Sequence, residues 1–394
     1  MKNKLVPAIR FKGFTNAWEQ KKLGDMGSTY GGLKSKRKED FIKGNSNYIS
    51  YIDVFKNPRI NFNPISTVNV DEKQNKVEYG DVLFTLSSEI PEEVGISSVI
   101  TTFFNKNVYL NSFCFGFRQY RIGENDLIFL SYLFRSKFFR QKIMILAQGI
   151  SRFNIQPNKV LNIELLAPSK NEQSKVGKFI EKIDNVVSLL QRKLEKLENI
   201  KNTLLGKMFA SAKSSYPAIR FKGFTNAWEQ EKLENEIVLK TGKLDTKDKD
   251  DNGKYVFFTS GINIYKINQF LFEGEHLIIV GSGVNIGFVH YINDKFNANQ
   301  RTFVLKTIND NAKFLYFYLY KNFYKKINTI VGDVSIPNLL KPHIYNFMVK
   351  KPSNNEISLI GSLFNRIEST VSLLQRKLEK LENIKNTLLE KMFV

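Results

Sequence analysis

Apolar residues recur at steps of mostly three and four from Ile183 through Val187, Leu190, Leu194, Leu197 and Leu204 to Met208, with charged residues between them. That spacing lines one face of an α-helix. It predicts a helix from about Glu172 to Phe209, on the order of 55 Å long at ~1.5 Å per residue. Lys201 interrupts the stripe, and Ile200 beside it is expected to cover the gap. A second stripe, Leu374, Leu378, Leu381, Ile384, Leu388 and Met392, predicts a second such helix. Arg192/Glu195 and Glu198/Lys201 are opposite charges three apart on the wet side. Asn171 is the expected N-cap of the first helix and Asn354 or Asn355 that of the second, each following a proline-containing stretch.

Elsewhere the pattern is that of strands. Asn47–Val54, Asp81–Leu86, Val94–Thr101 and Val108–Phe117 are rich in β-branched and aromatic residues and are separated by turn signals. Tyr255–Thr259, His276–Val280, Gly287–Tyr291 and Thr302–Lys306 read alike. A helical segment follows each set, at Leu127–Leu146 and Ala312–Asn328.

Two identities organise these elements. Residues 7–20, PAIRFKGFTNAWEQ, recur at 217–230, and residues 187–205, VSLLQRKLEKLENIKNTLL, recur at 371–389. The chain therefore reads as a shared segment, a variable segment and a shared helix, twice over. The identical parts do one job twice; the divergent parts do two versions of another. The expected divisions are 1–170, 171–212, 213–353 and 354–394. The fold class is α+β: two mixed, strand-rich domains joined by two long antiparallel helices that form an intramolecular coiled coil, related by a pseudo-twofold repeat. Packing of each stripe on its own domain is the simpler alternative, but duplication favours pairing of the two copies.

Composition narrows the partners. The 394 residues carry 59 Lys and Arg against 38 Asp and Glu, a formal net charge of +21. Such an excess attracts polyanions through counterion release, which makes nucleic acid the leading partner. With 42% hydrophobic residues the chain is globular rather than disordered. A single cysteine, Cys114, excludes a disulfide framework or a cysteine-based zinc site. No run is long and apolar enough for a membrane span, and the start MKNKLVPAIRFKGF has no apolar core of a signal peptide, so the expected location is the cytoplasm with no membrane partner.

Catalytic motifs are missing. No phosphate-binding G-x-x-x-x-G-K-[ST] loop occurs, because Gly177-Lys178, Gly242-Lys243 and Gly253-Lys254 are followed by Phe, Leu and Tyr. The glycines Gly281, Gly283 and Gly287 have the wrong spacing for a dinucleotide fingerprint and read as a strand–turn–strand cluster. Asn57-Pro58 and Asn63-Pro64 lack the remainder of an amino-methyltransferase N-P-P-aromatic motif. His276, His290 and His343 have no metal-ligand spacing, and no metal site is expected. Glu19-Gln20-Lys21 has the outline of a nuclease E-x-K fragment, but its copy, Glu229-Gln230-Glu231, loses the lysine. No catalytic residue is expected.

Together these features resemble the specificity (S) subunit of type I DNA restriction–modification enzymes. The resemblance spans the chain and rests on the two repeats and on the approach to each helix. The first approach is Asn154-Ile155-Gln156-Pro157 through Leu165-Leu166-Ala167-Pro168 to Asn171-Glu172-Gln173 and Ile183-Asp184. The second is Ile336-Pro337-Asn338-Leu339, Lys351-Pro352, Asn355-Glu356 and Ile367-Glu368, with Ile357 in place of the glutamine. Gly80-Asp81-Val82-Leu83-Phe84-Thr85 resembles the family's strand entering the recognition loop. The resemblance implies two target recognition domains, each reading one half of a bipartite, asymmetric sequence in double-stranded DNA. It implies a helical spacer between them, with Leu190, Leu194, Leu197, Leu204, Leu374, Leu378, Leu381 and Leu388 in its seam. It further implies docking to two modification (methyltransferase) subunits and to restriction (translocase–nuclease) subunits. Those partners would hold S-adenosylmethionine, ATP and Mg, with no cofactor in this chain. A non-catalytic coiled-coil nucleic-acid-binding or architectural protein without bipartite specificity is the alternative.

Candidate DNA contacts follow from side-chain chemistry. Lys34, Lys36, Arg37 and Lys38 form a basic run suited to phosphate. Ser87, Ser88 and Glu89 follow a strand, as Ser282 and Asn285 do in the second half, and short polar groups there can reach base edges or satisfy turns. Arg152, Asn154 and Gln156, and Asn299, Gln300 and Arg301, combine guanidinium with amides, the preferred readers of bases.

Overall fold

A computed structural model describes all residues except 1–5, 43, 63–64, 71–72, 212 and 332–337. The chain divides into two compact units: Met1–Leu190 with Lys377–Val394, and Gln191–Arg376. Each unit therefore holds one variable segment, the first half of one long helix and the second half of the other.

In the first unit a four-stranded antiparallel sheet runs in the order Gly27–Gly31, Cys114–Gln119, Val82–Thr85, Ser97–Val99. A smaller sheet places Ser46–Ile49 between Ser66–Val68 and Val108–Leu110. Phe84, Phe115, Phe134 and Phe139 are fully buried in the core. The expected strand Asn47–Val54 ends at Ile49, because Ser50 caps a helix, Tyr51–Lys56: its hydroxyl accepts from Asp53 N at 3.2 Å while Asp53 accepts from Ser50 N at 2.9 Å. The expected strand Val108–Phe117 breaks at Asn111, whose side chain accepts from Phe113 N at 2.9 Å. The expected helix Leu127–Leu146 is two helices, Leu127–Leu133 and Lys137–Met144, the second capped by Ser136.

The second unit has one six-stranded sheet, ordered Ile237–Thr241, Thr302–Thr307, Phe272–Val280, Val289–Ala298, Tyr255–Phe258, Ile264–Ile267. The helix Ala312–Val331 packs on it. The two variable segments thus carry different sheets on one frame.

The frame itself repeats in detail. Glu19–Lys22 pairs antiparallel with Glu164–Ala167, and Glu229–Lys232 pairs likewise with Met348–Lys351. Ile9 N donates to Lys391 O at 3.0 Å, and Ile219 N to Lys207 O at 2.9 Å. Trp18 meets Phe393 edge-on at 6.5 Å, as Trp228 meets Phe209 at 6.3 Å. Both tryptophans are buried, so they serve packing.

The long helices are Lys170–Met208 and Asn354–Lys391. The first begins one residue before its expected cap, Asn171, and the second begins at Asn354, which is therefore the first helical residue rather than the cap. Ser169 and Ser353 hold the N-cap positions, accepting through their carbonyls from Gln173 N at 2.9 Å and Ile357 N at 3.0 Å, so Asn171 and Asn355 lie inside the first turn. Val187, Leu190, Leu194, Leu197, Lys201 and Leu204 are all half-buried and alternate steps of three and four, the 3.5-residue period of a coiled-coil seam. The expectation that Ile200 covers the gap is overturned, since Ile200 and its copy Ile384 are each 41% exposed. Lys201 itself stays in the seam, half-buried, with its ammonium paired to Glu368 at 2.8 Å. In the first unit Lys385, the copy of Lys201, pairs with Asp184, the counterpart of Glu368, at 2.6 Å. Within each unit the paired helix segments run antiparallel: Phe209 packs on Phe364, and Leu388 and Met392 join the core that holds Ile180.

Candidate nucleic-acid interface

In the first unit the strand Val82–Thr85 delivers the chain to a cleft. Gly80, at φ +87°, makes the turn before it. Asp81, buried, accepts from the Tyr30 hydroxyl at 2.6 Å and from Arg118 at 2.8 and 3.0 Å. Burial, reinforced by Asp81, raises the Tyr30 hydroxyl well above its usual pKa, so it stays a donor. Beyond the strand, Ser87–Ser88 pairs with Phe153–Asn154. Thr85 accepts from Ile96 N at 2.9 Å and donates to Glu93 O at 3.1 Å, which closes the intervening loop.

The cleft has a volume of about 340 Å³. Ser87, Ser88, Glu89 and Arg152, distant in sequence, all line it, together with Tyr51 and Phe113. Their roles differ. The serines are buried: Ser88 donates to Glu93 at 2.9 Å and accepts from Ile90 N at 3.2 Å. Ser87 accepts from the Arg152 guanidinium at 3.3 Å. Glu89 and Arg152 are exposed. The guanidinium carbon of Arg152 lies 5.3 Å from the centre of the Phe113 ring, within cation–π range.

The loop carrying Arg152 is fixed by reciprocal bonds between Gln148 and Asn154, both 2.9 Å. Gly149 makes the loop possible, with φ +145° and no room for a side chain, since a Cβ there would stand 2.0 Å from Arg152 O. The exposed amide of Asn154 donates to Arg152 O at 3.3 Å, and Gln156, also exposed, precedes the short helix Pro157–Val160.

The basic run belongs to the smaller sheet. Leu33 N donates to Leu110 O, and Lys34 N to the Gln74 side chain. Ser35, at φ +56°, turns the chain in the left-handed region. Lys34, Arg37 and Lys38 are exposed, whereas Lys36 is half-buried and has a polar partner. The three exposed cations are accessible to phosphates.

In the second unit, Gly281 N donates to Arg301 O at 3.0 Å and brings two turns together. One holds Ser282 and Asn285, the other Asn299, Gln300 and Arg301. Asn299 is buried and saturated, donating to Thr246 and Ser260 at 3.2 Å each and accepting from Thr302 at 2.6 Å, so it shapes the turn. Ser282 is buried beside its backbone bridge to Asn338. Gln300 and Arg301 are exposed, and Asn285 is half-buried. Ile336-Pro337 and Asn63-Pro64 lie outside the described residues.

Phe113 and Tyr51 are members of the cleft that the sequence reading missed. Both sit in segments read as continuous strand, where the turn at Asn111 and the cap at Ser50 are the signals that place them. Among the described residues no group of three or more His, Cys, Asp or Glu could hold a metal ion, and no helix is long and apolar enough to cross a membrane.

A family model for the type I restriction modification DNA specificity domain matches the chain twice, at residues 16–199 and 226–383. The EcoDI specificity subunit of Escherichia coli is 33% identical over 157 residues, a match spanning 40% of this chain and only 35% of that subunit. The MjaVIII specificity subunit of Methanocaldococcus jannaschii is 20% identical over 82% of this chain and 80% of its own length. The crystal structure of a type I restriction–modification S subunit from M. genitalium has a TM-score of 0.68 at 17% identity, covering 99% of both chains, a likeness of fold.

Proposed function

The chain belongs to the family of type I restriction–modification DNA specificity subunits, and from that premise we propose that it reads a bipartite, asymmetric DNA target, one half-site per strand-rich domain. The family's role is recognition of DNA sequence. The observation that carries the finer reading is the duplicated frame bearing two unlike sheets. Equal frames present each domain in the same way, and unlike sheets recognise unlike half-sites. The two long helices act as the spacer that sets the separation of the half-sites.

The exposed residues of the shared segments, Lys12, Thr15 and Asn16 with their copies Lys222, Thr225 and Asn226, offer one surface twice. That surface suits two copies of one partner, the modification subunit, which would bring S-adenosylmethionine and methylate adenine. Restriction subunits would bring ATP, Mg and cleavage, and this chain would supply no catalytic group.

The test is base-resolution mapping of adenine methylation in cells expressing the chain with its modification subunit, against the same cells without the chain. A new two-part motif that depends on the chain supports the reading. An assembled complex that yields no motif contradicts it.

A further inference from the structure

The cleft in the first unit holds a cation in an arrangement that a phosphate contact does not require. Arg152 is exposed, yet its guanidinium is held from two directions, by the face of Phe113 and by the Ser87 hydroxyl. Among the described residues no carboxylate closes on it as an ion pair. Side chains that only neutralise phosphate gain little from such fixing, because a point charge on a mobile stem serves as well. The surroundings also disfavour phosphate. Glu89 and Glu93 line the same cleft, and their negative charge opposes the full charge of a phosphodiester more strongly than the partial charges of a base edge.

We propose that Arg152 is the residue with which the first recognition domain reads a guanine of its half-site, held in reading position by Phe113 and Ser87. This rests on the reading of the chain as a DNA specificity subunit. The choice of base follows from the guanidinium. A planar fork of donors requires two adjacent acceptors, which guanine presents in the major groove as O6 and N7. Adenine offers one acceptor beside a donor, cytosine a donor, and thymine one acceptor beside a methyl group. Gly149 then has a function beyond folding, since it allows the tight loop that carries Arg152. Ser87 is a positioning residue rather than a base reader, its hydroxyl already engaged.

The test uses the complex of the chain with its modification subunits. Methylation motifs are mapped for the wild type, Arg152→Ala and Phe113→Leu, and binding is measured on duplexes in which each guanine of the motif is replaced in turn by 7-deazaguanine, which lacks N7. The expected result is that one guanine of one half-site becomes degenerate in both variants while the other half-site is unchanged. At that guanine the 7-deaza substitution weakens the wild type and leaves Arg152→Ala unaffected; a bidentate contact corresponds to a discrimination of about 5- to 150-fold. Should Arg152→Ala fail to assemble, Phe113→Leu must relax the same guanine that is sensitive to the 7-deaza substitution. Variants that methylate the wild-type motif at the wild-type rate, or half-sites in which no guanine is sensitive, overturn the assignment. A wild-type complex without any two-part motif would instead refute the functional reading beneath it.

Discussion

Arg10 grips Glu172 through two parallel bonds of 2.6 and 2.7 Å, and Arg220 grips Glu356 in the same way at 2.7 Å twice. Each arginine belongs to the shared segment and each glutamate to the first turn of a long helix. The segment is thereby tied to the helix start, where a carboxylate also favours the helix dipole. Glu172 and Glu356 are buried, so the bond matters chiefly through what its loss would leave behind.

Replacing Arg10 with Ala strands a buried carboxylate, a change expected to cost about 3 kcal/mol. Hydrogen exchange should show lost protection in the first unit and unchanged protection in the second; Arg220→Ala should show the reverse. Arg10→Lys should recover only part of the stability, because an ammonium cannot make the two-pronged contact. Equal loss in both units would contradict the independence of the two clamps.

The seam ion pairs are partly exposed and contribute less. Lys201→Glu places two carboxylates together and should destabilise the second unit by about 1 kcal/mol. Adding Glu368→Lys should restore it. The check is a double-mutant cycle by chemical denaturation; no recovery in the double variant would mean that the pair does not set the seam.

All three histidines lie in the second unit, and burial lowers the pKa of His276 and His290 below 6.5. Below that pH the unfolded chain takes up protons that the folded unit refuses, so stability is full above about 6.5 and falls as pH falls through it. Thermal unfolding followed by hydrogen exchange at pH 7.5 and 5.5 should show acid sensitivity from this source in the second unit, and His276→Phe with His290→Phe should reduce it. An unchanged acid response in the double variant would exclude these groups as its cause.

Gly149→Ala should disturb the cleft without unfolding the frame. Its φ of +145° and the 2.0 Å approach to Arg152 O force the loop to move. The methylation motif should lose definition in one half-site and keep the other. Loss of both half-sites would place Gly149 in the fold rather than in the cleft.

What the sequence disclosed was whatever repeats or has a period. The two helices, the duplicated frame and the central strands of each variable segment follow from local pattern, whereas the edge strands Gly27–Gly31 and Ile237–Thr241 and the short frame strands Glu19–Lys22 and Glu229–Lys232 were not read from it. The misreadings have physical reasons. Hydropathy favours Ile200 in the seam gap, but the 3.5-residue period keeps position 201 inward, where the lysine is half-buried. Ser50 and Asn111 act through single side-chain bonds that interrupt an otherwise strand-like run. The clamp of Arg10 on Glu172 was hidden because its partners lie 162 residues apart. The cleft shows the same limit. Arg152, Ser87 and Glu89 were each nameable as polar groups near strand ends, but only the fold brings them to one place and shows that the serines are already engaged.

The central claim is that the two domains read separate half-sites at a distance set by the helices. The most direct test inserts seven residues, two turns that preserve the seam period, after Gln191 and after its copy Gln375. Each helix lengthens by ~10 Å, or about three base-pair steps of 3.4 Å. Mapping of methylation by the assembled complex should then return both half-sites unchanged with up to three more unspecified base pairs between them. Altered half-site bases, or the original spacing kept by an active complex, would contradict the account.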